Sequence, residues 1–408
     1  MNARGHAADA VEPIIVIHGP ALTSYSFSDE HPLQPSRHDL TMSLLSALGW
    51  LDTPGVTVEA PRPATLSELL TAHTLPLVQA VQTAQDIARG ERPAADLRLY
   101  GLNTEDNPLF PGMHDAPALL AGASLQAMQA ILDGRCIHAY SPAGGMHHAM
   151  RARAAGFCIY NDIAVAIAAA VQAGQRVAYI DLDAHHGDGV QAIFYDDPRV
   201  LTISIHESGR FLFPGTGEPG ETGSGDGVGA CLNIPLPPDA GDESILLAYD
   251  RIVEPAVRAY RPDILVAQTG CDTHHADPLT DLAASMALYP RLAERLHALA
   301  HEVSGGRWLV VGGGGYDPAD VTPRAWTAFF GSILGKQMRD LALPAGWREE
   351  SRAKGGRPPA HLLDDPGAAF AQPPDRAFLS SLDEIESGPL AVLHCAAGNA
   401  YIAPLESE

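Results

Sequence analysis

Residues 177–189, VAYIDLDAHHGDG, begin as a buried strand and then set down five carboxyl or imidazole groups within eight positions: Asp181, Asp183, His185, His186 and Asp188. Removing such groups from water is costly unless they are paired or bind a metal. Asp183 and His185, two apart at a strand end, project to the same side and can reach one cation. A borderline ion such as zinc accepts one imidazole together with carboxylate oxygens. The same pair also suits a salt-bridged loop or a helix cap. A second carboxylate follows another apolar run in TGCDTHHADP (269–278). With Asp183 and His185, Asp272 makes three protein ligands and leaves a place for water, as in a catalytic zinc centre rather than a closed structural one. Taken alone, Asp272 reads as a helix cap, and His274 and His275 beside it read as exposed loop histidines.

Two further stretches carry groups suited to proton transfer. AGGMHHAM (143–150) sets His147 and His148 on a glycine-flanked loop, with Asp181 and Asp188 available to orient them. In isolation they read equally as two surface histidines. VVGGGGYDPAD (310–320) is not a dinucleotide fingerprint, because Asp317 stands where Gly or Ala is required. Its glycines either let the Tyr316 phenol reach a substrate oxygen or mark a tight turn. GKQ (335–337) lacks the Ser or Thr that completes a phosphate loop.

The elements that must position these groups are short apolar runs alternating with helical patterns. IIVIHG (14–19), CIHAY (136–140), VAYIDLD (177–183), VLTISIH (200–206), ILVAQTG (264–270) and WLVVGGGG (308–315) read as strands. Their near-continuous hydrophobicity is that of parallel strands covered on both faces. Segments 161–174, 243–260 and 289–303 have helical spacing, the first with Asn161 or Asp162 as a cap and Gly174 as a stop. The alternation predicts an open α/β sheet with right-handed crossovers, whose ligands bind beyond the carboxyl ends of the strands. The costly residues all fall there. Glycine-rich 218–229 reads as a surface loop, and from about Pro344 a Pro-, Gly- and Arg-rich extension reads as an appended, partly ordered tail.

Composition narrows the classes. The 408 residues are 46% hydrophobic, enough for a large core, and 49 acidic against 26 basic residues give a net charge of −23. That excludes a basic footprint for nucleic acid and suits a cationic or lysine-bearing partner. Five scattered cysteines form no CxxC and no disulfide framework, which fits a reducing cytoplasm. No secretion signal or membrane span is read.

HHAMRARAAGFCIYNDIAVAI, IDLDAHHGDGVQAIFY, SIHESGRFLFPGTG, GCDTHHADPL and GGGGY resemble the zinc-dependent histone deacetylase superfamily of the arginase-deacetylase fold. GLNTEDNPLFPGMHDA and GFCIYNDIAVAI are most similar to the bacterial acetoin-utilisation deacetylases, relatives of class I histone deacetylases. The likeness runs from about residue 13 to 345. It implies an open, mostly parallel eight-stranded sheet with helices on both faces, in a catalytic domain of residues 1–345 with 346–408 as a C-terminal extension packed on it or trailing from it. It makes Asp183, His185 and Asp272 the zinc ligands, with zinc replaceable by ferrous iron in cells. His147 and His148 become the tandem catalytic histidines, Asp181 and Asp188 their carboxylates, and Tyr316 the oxyanion donor. Phe157 and Phe213 would flank the lysine tunnel, Leu279 would lie near its mouth, and Gly156 and Gly314 would line the substrate. Asp106 matches a rim aspartate that holds substrate backbone. Arg37 and Met146 fall in an inner acetate cavity, Met146 standing where many relatives carry Trp. A structural potassium would be held at Asp181, Asp183, His185, Ser204 and Ile205. The rim residues Glu207, Ser208, Gly209 and Arg210 depart from eukaryotic relatives.

The implied reaction is hydrolysis of the acetyl amide of Nε-acetyl-lysine in a protein, with an acyl-CoA synthetase lysine as one metabolic target. Three rivals remain on the residues alone: an acetylpolyamine amidohydrolase acting on small acetylated amines, an arginase-like two-manganese hydrolase, and an acyl-lysine binding module without activity. The assembly state is not set by the sequence.

Overall fold

The computed structural model describes residues 12–365 and 372–396. Residues 1–11 of the N-terminal stretch read for a leader, together with 366–371 and 397–408 of the extension, lie outside the described residues. Eight strands form one sheet: β1 (Ile14–Ile17), β2 (Val56–Glu59), β3 (His138–Ser141), β4 (Val177–Asp181), β5 (Val200–Glu207), β6 (Cys231–Leu236), β7 (Ile264–Gln268) and β8 (Trp308–Val311). Their order is β2-β1-β3-β8-β7-β4-β5-β6, and every pairing is parallel. The six strands read from apolar runs are all present.

The two strands that the runs do not reveal are the edges. β2 is four residues with partly exposed side chains. β6 is broken by Asn233 and Pro235, and a proline without an N–H is tolerated best at an edge. The inner strands alternate between two cores, as the two-residue period requires. From β4, Ala178 and Ile180 enter one cluster while Val177 and Tyr179 enter the other. From β8, Trp308 and Val310 go one way, Leu309 and Val311 the other. Each such buried aliphatic contributes roughly 1.5–3 kcal/mol of transfer free energy.

Helices cover both faces. Helices Asp115–Leu132 and Asp162–Gln172 lie on one face, and Leu288–Ser304 and Val321–Ile333 on the other. The helical pattern at 243–260 is interrupted: Tyr249–Val253 widens into a π-turn directly before Pro255, which cannot donate to the ladder and crowds the preceding turn. Beyond Pro344, Trp347, Leu362, Phe378, Leu382, Ile385, Leu390 and Leu393 are buried in the same core as Ala178, Ile180 and Trp308. Arg251 grips Glu386 through two bonds of 2.6 and 2.7 Å, and the Trp347 indole donates to the Leu40 carbonyl at 2.9 Å. The described part of the extension is therefore packed rather than a loosely ordered tail.

Candidate active site

All costly residues sit at the carboxyl ends of β3, β4, β7 and β8, the middle of the sheet. Asp183 and His185 leave the tip of β4, Asp272 leaves β7, and one donor atom from each lies within 4.8 Å of the others. His185 Nδ1 is 2.8 Å from Asp272 Oδ2 and 3.2 Å from Asp183 Oδ1. Backbone amides fix the carboxylates: His185 N donates to Asp183 Oδ1 (3.0 Å), Gly314 N to Asp183 Oδ2 (2.6 Å) and Ala184 N to Asp272 Oδ1 (2.8 Å). Gln268, a strand residue the sequence gives no reason to single out, also donates to Asp183 Oδ2, at 2.6 Å.

These three side chains are buried, and among the described residues the two carboxylates pair with histidines rather than with Lys or Arg. Burial and the neighbouring Asp183 charge push Asp272 upward. Burial opposes charge on His185 as well, yet hydrogen bonds to Asp183 and Asp272 raise it to about 10. The centre thus demands positive charge. A divalent cation among the two oxygens and Nδ1 would supply it, letting both carboxylates ionise and His185 give up its proton. This donor set suits zinc.

The tandem histidines stand beside it on the loop after β3. His147 Nδ1 lies 2.8 Å from Asp181 Oδ2, His148 Nδ1 lies 2.7 Å from Asp188 Oδ1, and the two Nε2 atoms are 3.0 Å apart. Burial disfavours charge on both. At His147, Asp181 and Asp183 overcome it and raise the imidazole to about 9. At His148, burial and the His147 charge prevail over Asp188 and lower it to about 4. Their surroundings thus shift the neighbouring imidazoles in opposite directions. Asp162, read from sequence as a possible cap, instead accepts from Gly145 N (3.1 Å) and Met146 N (2.7 Å) and fastens this loop. Asn161 is the cap, accepting from Ala164 N at 2.9 Å, and its amide donates to the His147 and Ala149 carbonyls.

A narrow pocket opens onto the pair, lined by Arg37, Met146, His147, His148, Gly156, Phe157, Gly314 and Tyr316 among others. The Phe157 and Tyr316 rings meet edge to face at 5.9 Å, and Phe213 meets His148 at 5.0 Å. Gly156 and Gly314 are where close approach matters. A Cβ at Gly156 would come within 2.5 Å of His148 and 2.9 Å of Phe213, and one at Gly314 would collide with the Asp272 carboxylate. Tyr316 N donates to Asp277 Oδ2 at 2.7 Å, so a buried carboxyl that sequence reading passed over aims the tyrosine. Arg37 donates to the Gly315 carbonyl at 3.1 Å, lies over the Trp326 ring, and together with Met146 also lines a second small pocket.

Other expected positions are more peripheral. Asp106 is exposed at the rim; its carbonyl lies 3.2 Å from His31 Nε2, and the His31 ring packs edge to face on Phe157 at 4.5 Å. Leu279 is half-buried and does not line the cavity. Ser204 pairs in register with Asp181 and is followed by Ile205, and the Ser204 hydroxyl lies 2.8 Å from His206 Nδ1. His186 is held by Thr216 at 2.8 Å and Gln191 at 2.9 Å, turned to uses other than the metal cluster. The expectation of exposed loop histidines at 274 and 275 is corrected: His274 is buried, and both contact Asp365 of the extension, at 3.3 and 2.7 Å. Asp365, a residue distant in sequence, draws them in.

The histone deacetylase domain model matches residues 31–333. The chain belongs to the histone deacetylase family. A curated relative, the acetoin utilization protein AcuC of Bacillus subtilis (strain 168), is 42% identical over 351 residues, 82% of this chain and 89% of that one. The crystal structure of an HDAC homolog from Aquifex aeolicus superposes with a TM-score of 0.81 at 30% identity, covering 92% of this chain and 100% of that one. An HDAC homolog complexed with SAHA gives a TM-score of 0.79, also at 30% identity, with 92% and 99% covered. This member of the family is a deacetylase, a hydrolase with the arginase-deacetylase fold that acts on acetylated substrates, and that fold implies a catalytic metal. Among the described residues no helix is long and apolar enough to cross a membrane.

Proposed function

We propose that the chain hydrolyses the acetyl amide of Nε-acetyl-lysine in proteins, releasing acetate, with zinc held by Asp183, His185 Nδ1 and Asp272. One observation carries the reading: the three donors converge beside two carboxylate-oriented imidazoles in a cavity walled by Phe157 and Tyr316. Zinc, when bound, polarises the acetyl carbonyl and acidifies water. The remaining steps belong to side chains. His148 takes the proton of the attacking water at Nε2, since its Nδ1 proton is committed to Asp188 and its lowered pKa keeps it neutral. His147, held through Nδ1 by Asp181, stabilises the negative charge once protonated and returns a proton to the leaving amine. Tyr316 donates to the oxyanion that develops on the acetyl oxygen. Phe157 and Phe213 hold the apolar lysine stem and exclude water.

Acetate leaves inward past Met146 to the cavity beside Arg37, whose guanidinium offsets its charge. Asp106 holds the substrate backbone at the rim, Leu279 lies near the tunnel mouth, and potassium at Asp181, Asp183, His185, Ser204 and Ile205 steadies the strand tips. The catalytic unit lies within residues 1–345. Five free cysteines suit a cytoplasmic setting, and the likeness to acetoin utilization proteins favours a metabolic protein target such as an acyl-CoA synthetase lysine. Acetyl-lysine peptides and acetylspermidine, each assayed with and without chelator, test this. Faster turnover of peptide, lost on chelation, is expected. Preference for acetylspermidine would replace protein lysine with a small amine.

A further inference from the structure

A second donor cluster stands at the opposite pole of the sheet, where the parallel strands begin. Glu12 lies two residues before Ile14, the start of β1, His138 opens β3, and His297 and His301 lie one turn apart on the helix Leu288–Ser304. The β1–β3 register places Ile14 beside His138, which brings the residues before β1 to the same rim. One ligand atom from each of these four residues lies within 4.8 Å of the other three. His297 Nε2 is 3.1 Å from His138 Nε2 and 3.0 Å from His301 Nε2. Glu12 Oε2 is 3.3 Å from His138 Nε2 and 3.4 Å from His301 Nε2.

Hydrogen bonding serves this arrangement poorly. A ring nitrogen offers one proton or one in-plane lone pair, so His297 Nε2 cannot make full bonds to both neighbouring Nε2 atoms. A cation at the centre would use all four lone pairs at once. Ligands about 2.0–2.1 Å from a tetrahedral centre stand about 3.3–3.4 Å apart, close to the four separations just given. We propose that Glu12, His138, His297 and His301 form a second metal site, a closed three-histidine, one-carboxylate centre for zinc or a similar borderline divalent ion, structural rather than catalytic.

Donor chemistry and access agree with this. Imidazole and carboxylate suit borderline ions. The Trp308 ring stacks on His297 at 5.9 Å and meets His138 edge-on at 6.1 Å, fixing both planes. The Glu12 and His301 side chains are 47% and 37% exposed, leaving an entry path. The ion would join the segment before β1, the start of β3 and a covering helix. With all four positions taken by protein, no place remains for substrate.

The test is zinc stoichiometry in tag-free, full-length protein, stripped with chelator, equilibrated with Zn²⁺ and measured by elemental analysis. His301→Ala is expected to remove one equivalent while deacetylation stays within about two-fold of the parent. Should that variant fold poorly, Asp183→Ala against Asp183→Ala/His297→Ala isolates the same site, with one equivalent expected to fall to none. Equal zinc in parent and His301→Ala, or in the two Asp183→Ala proteins, overturns the proposal. Because the reading rests on these differences, an error in the catalytic zinc assignment would appear separately, as no loss of zinc on Asp183→Ala.

Discussion

The two rims of the sheet hold comparable sets of donors under opposite physical regimes. At the carboxyl rim, Asp183 and Asp272 are sealed from water and held by backbone amides at strand tips, with Asp181 and Asp188 fixing the histidines nearby. At the amino rim, two donors come from one helical turn and two are substantially exposed. Buried anions at the first rim make a field that strongly shifts the imidazoles and can polarise a substrate. The second rim has a single carboxylate facing three imidazoles, which suits holding an ion but supplies no proton relay. Donor type alone does not separate a catalytic centre from a structural one. The surroundings of each donor's second polar atom do.

Asp183→Ala gives the sharpest contrast: metal at the carboxyl rim should be lost and deacetylation should fall below detection. Unchanged metal content by elemental analysis, with activity retained, would break the comparison. Tyr316→Phe should retain metal yet lose about 10²–10³-fold in kcat, the usual effect of removing one oxyanion donor. Near-normal kcat would take the phenol out of the reaction. Gly314→Ala should weaken metal retention about 10–100-fold, the scale of disturbed supporting contacts, because the new methyl meets Asp272 and Asp183. A chelator competition titration measures it.

The smallest effect concerns acid. His73 Nδ1 lies 3.1 Å from the Met150 carbonyl and its Nε2 accepts from Asn161 N at 2.9 Å, so the neutral ring braces the catalytic loop. Burial lowers it from 6.5 to about 4. Below pH 6.5 the unfolded chain therefore binds more protons than the folded one. The stabilisation is complete above pH 6.5 and is lost as pH falls towards 4, a change of about 3 kcal/mol. Thermal midpoints of His73→Gln should be lower at neutral pH but decline less than the parent's between pH 6.5 and 4. Parallel declines would remove His73 from the acid response.

Much of this was legible beforehand. Asp183-x-His185 could be read because strand periodicity is local, and the six inner strands because burial on both faces leaves continuous apolar runs. The edges β2 and β6 were hidden because an edge strand needs neither continuity nor a full set of N–H donors. Asp162, Gln268 and Asp277 were hidden for a different reason: each holds a backbone or carboxylate of another segment, and no residue pattern near them shows what they will meet. His274 and His275 were misjudged as exposed because their cover comes from Asp365, far along the chain.

The sequence alone determined the alternation of strands and helices, the siting of its costly groups at strand tips, and the family, since these depend on neighbours along the chain. Tertiary structure decided which atoms meet. It turned His185 Nδ1 toward Asp272, shifted His147 and His148 in opposite directions through different neighbours, and gathered Glu12, His138, His297 and His301 from three separate elements. Helical periodicity could pair only the last two of those four. The rest follows from sheet register and layer packing, where separations of an ångström decide between a hydrogen bond, a metal site and nothing.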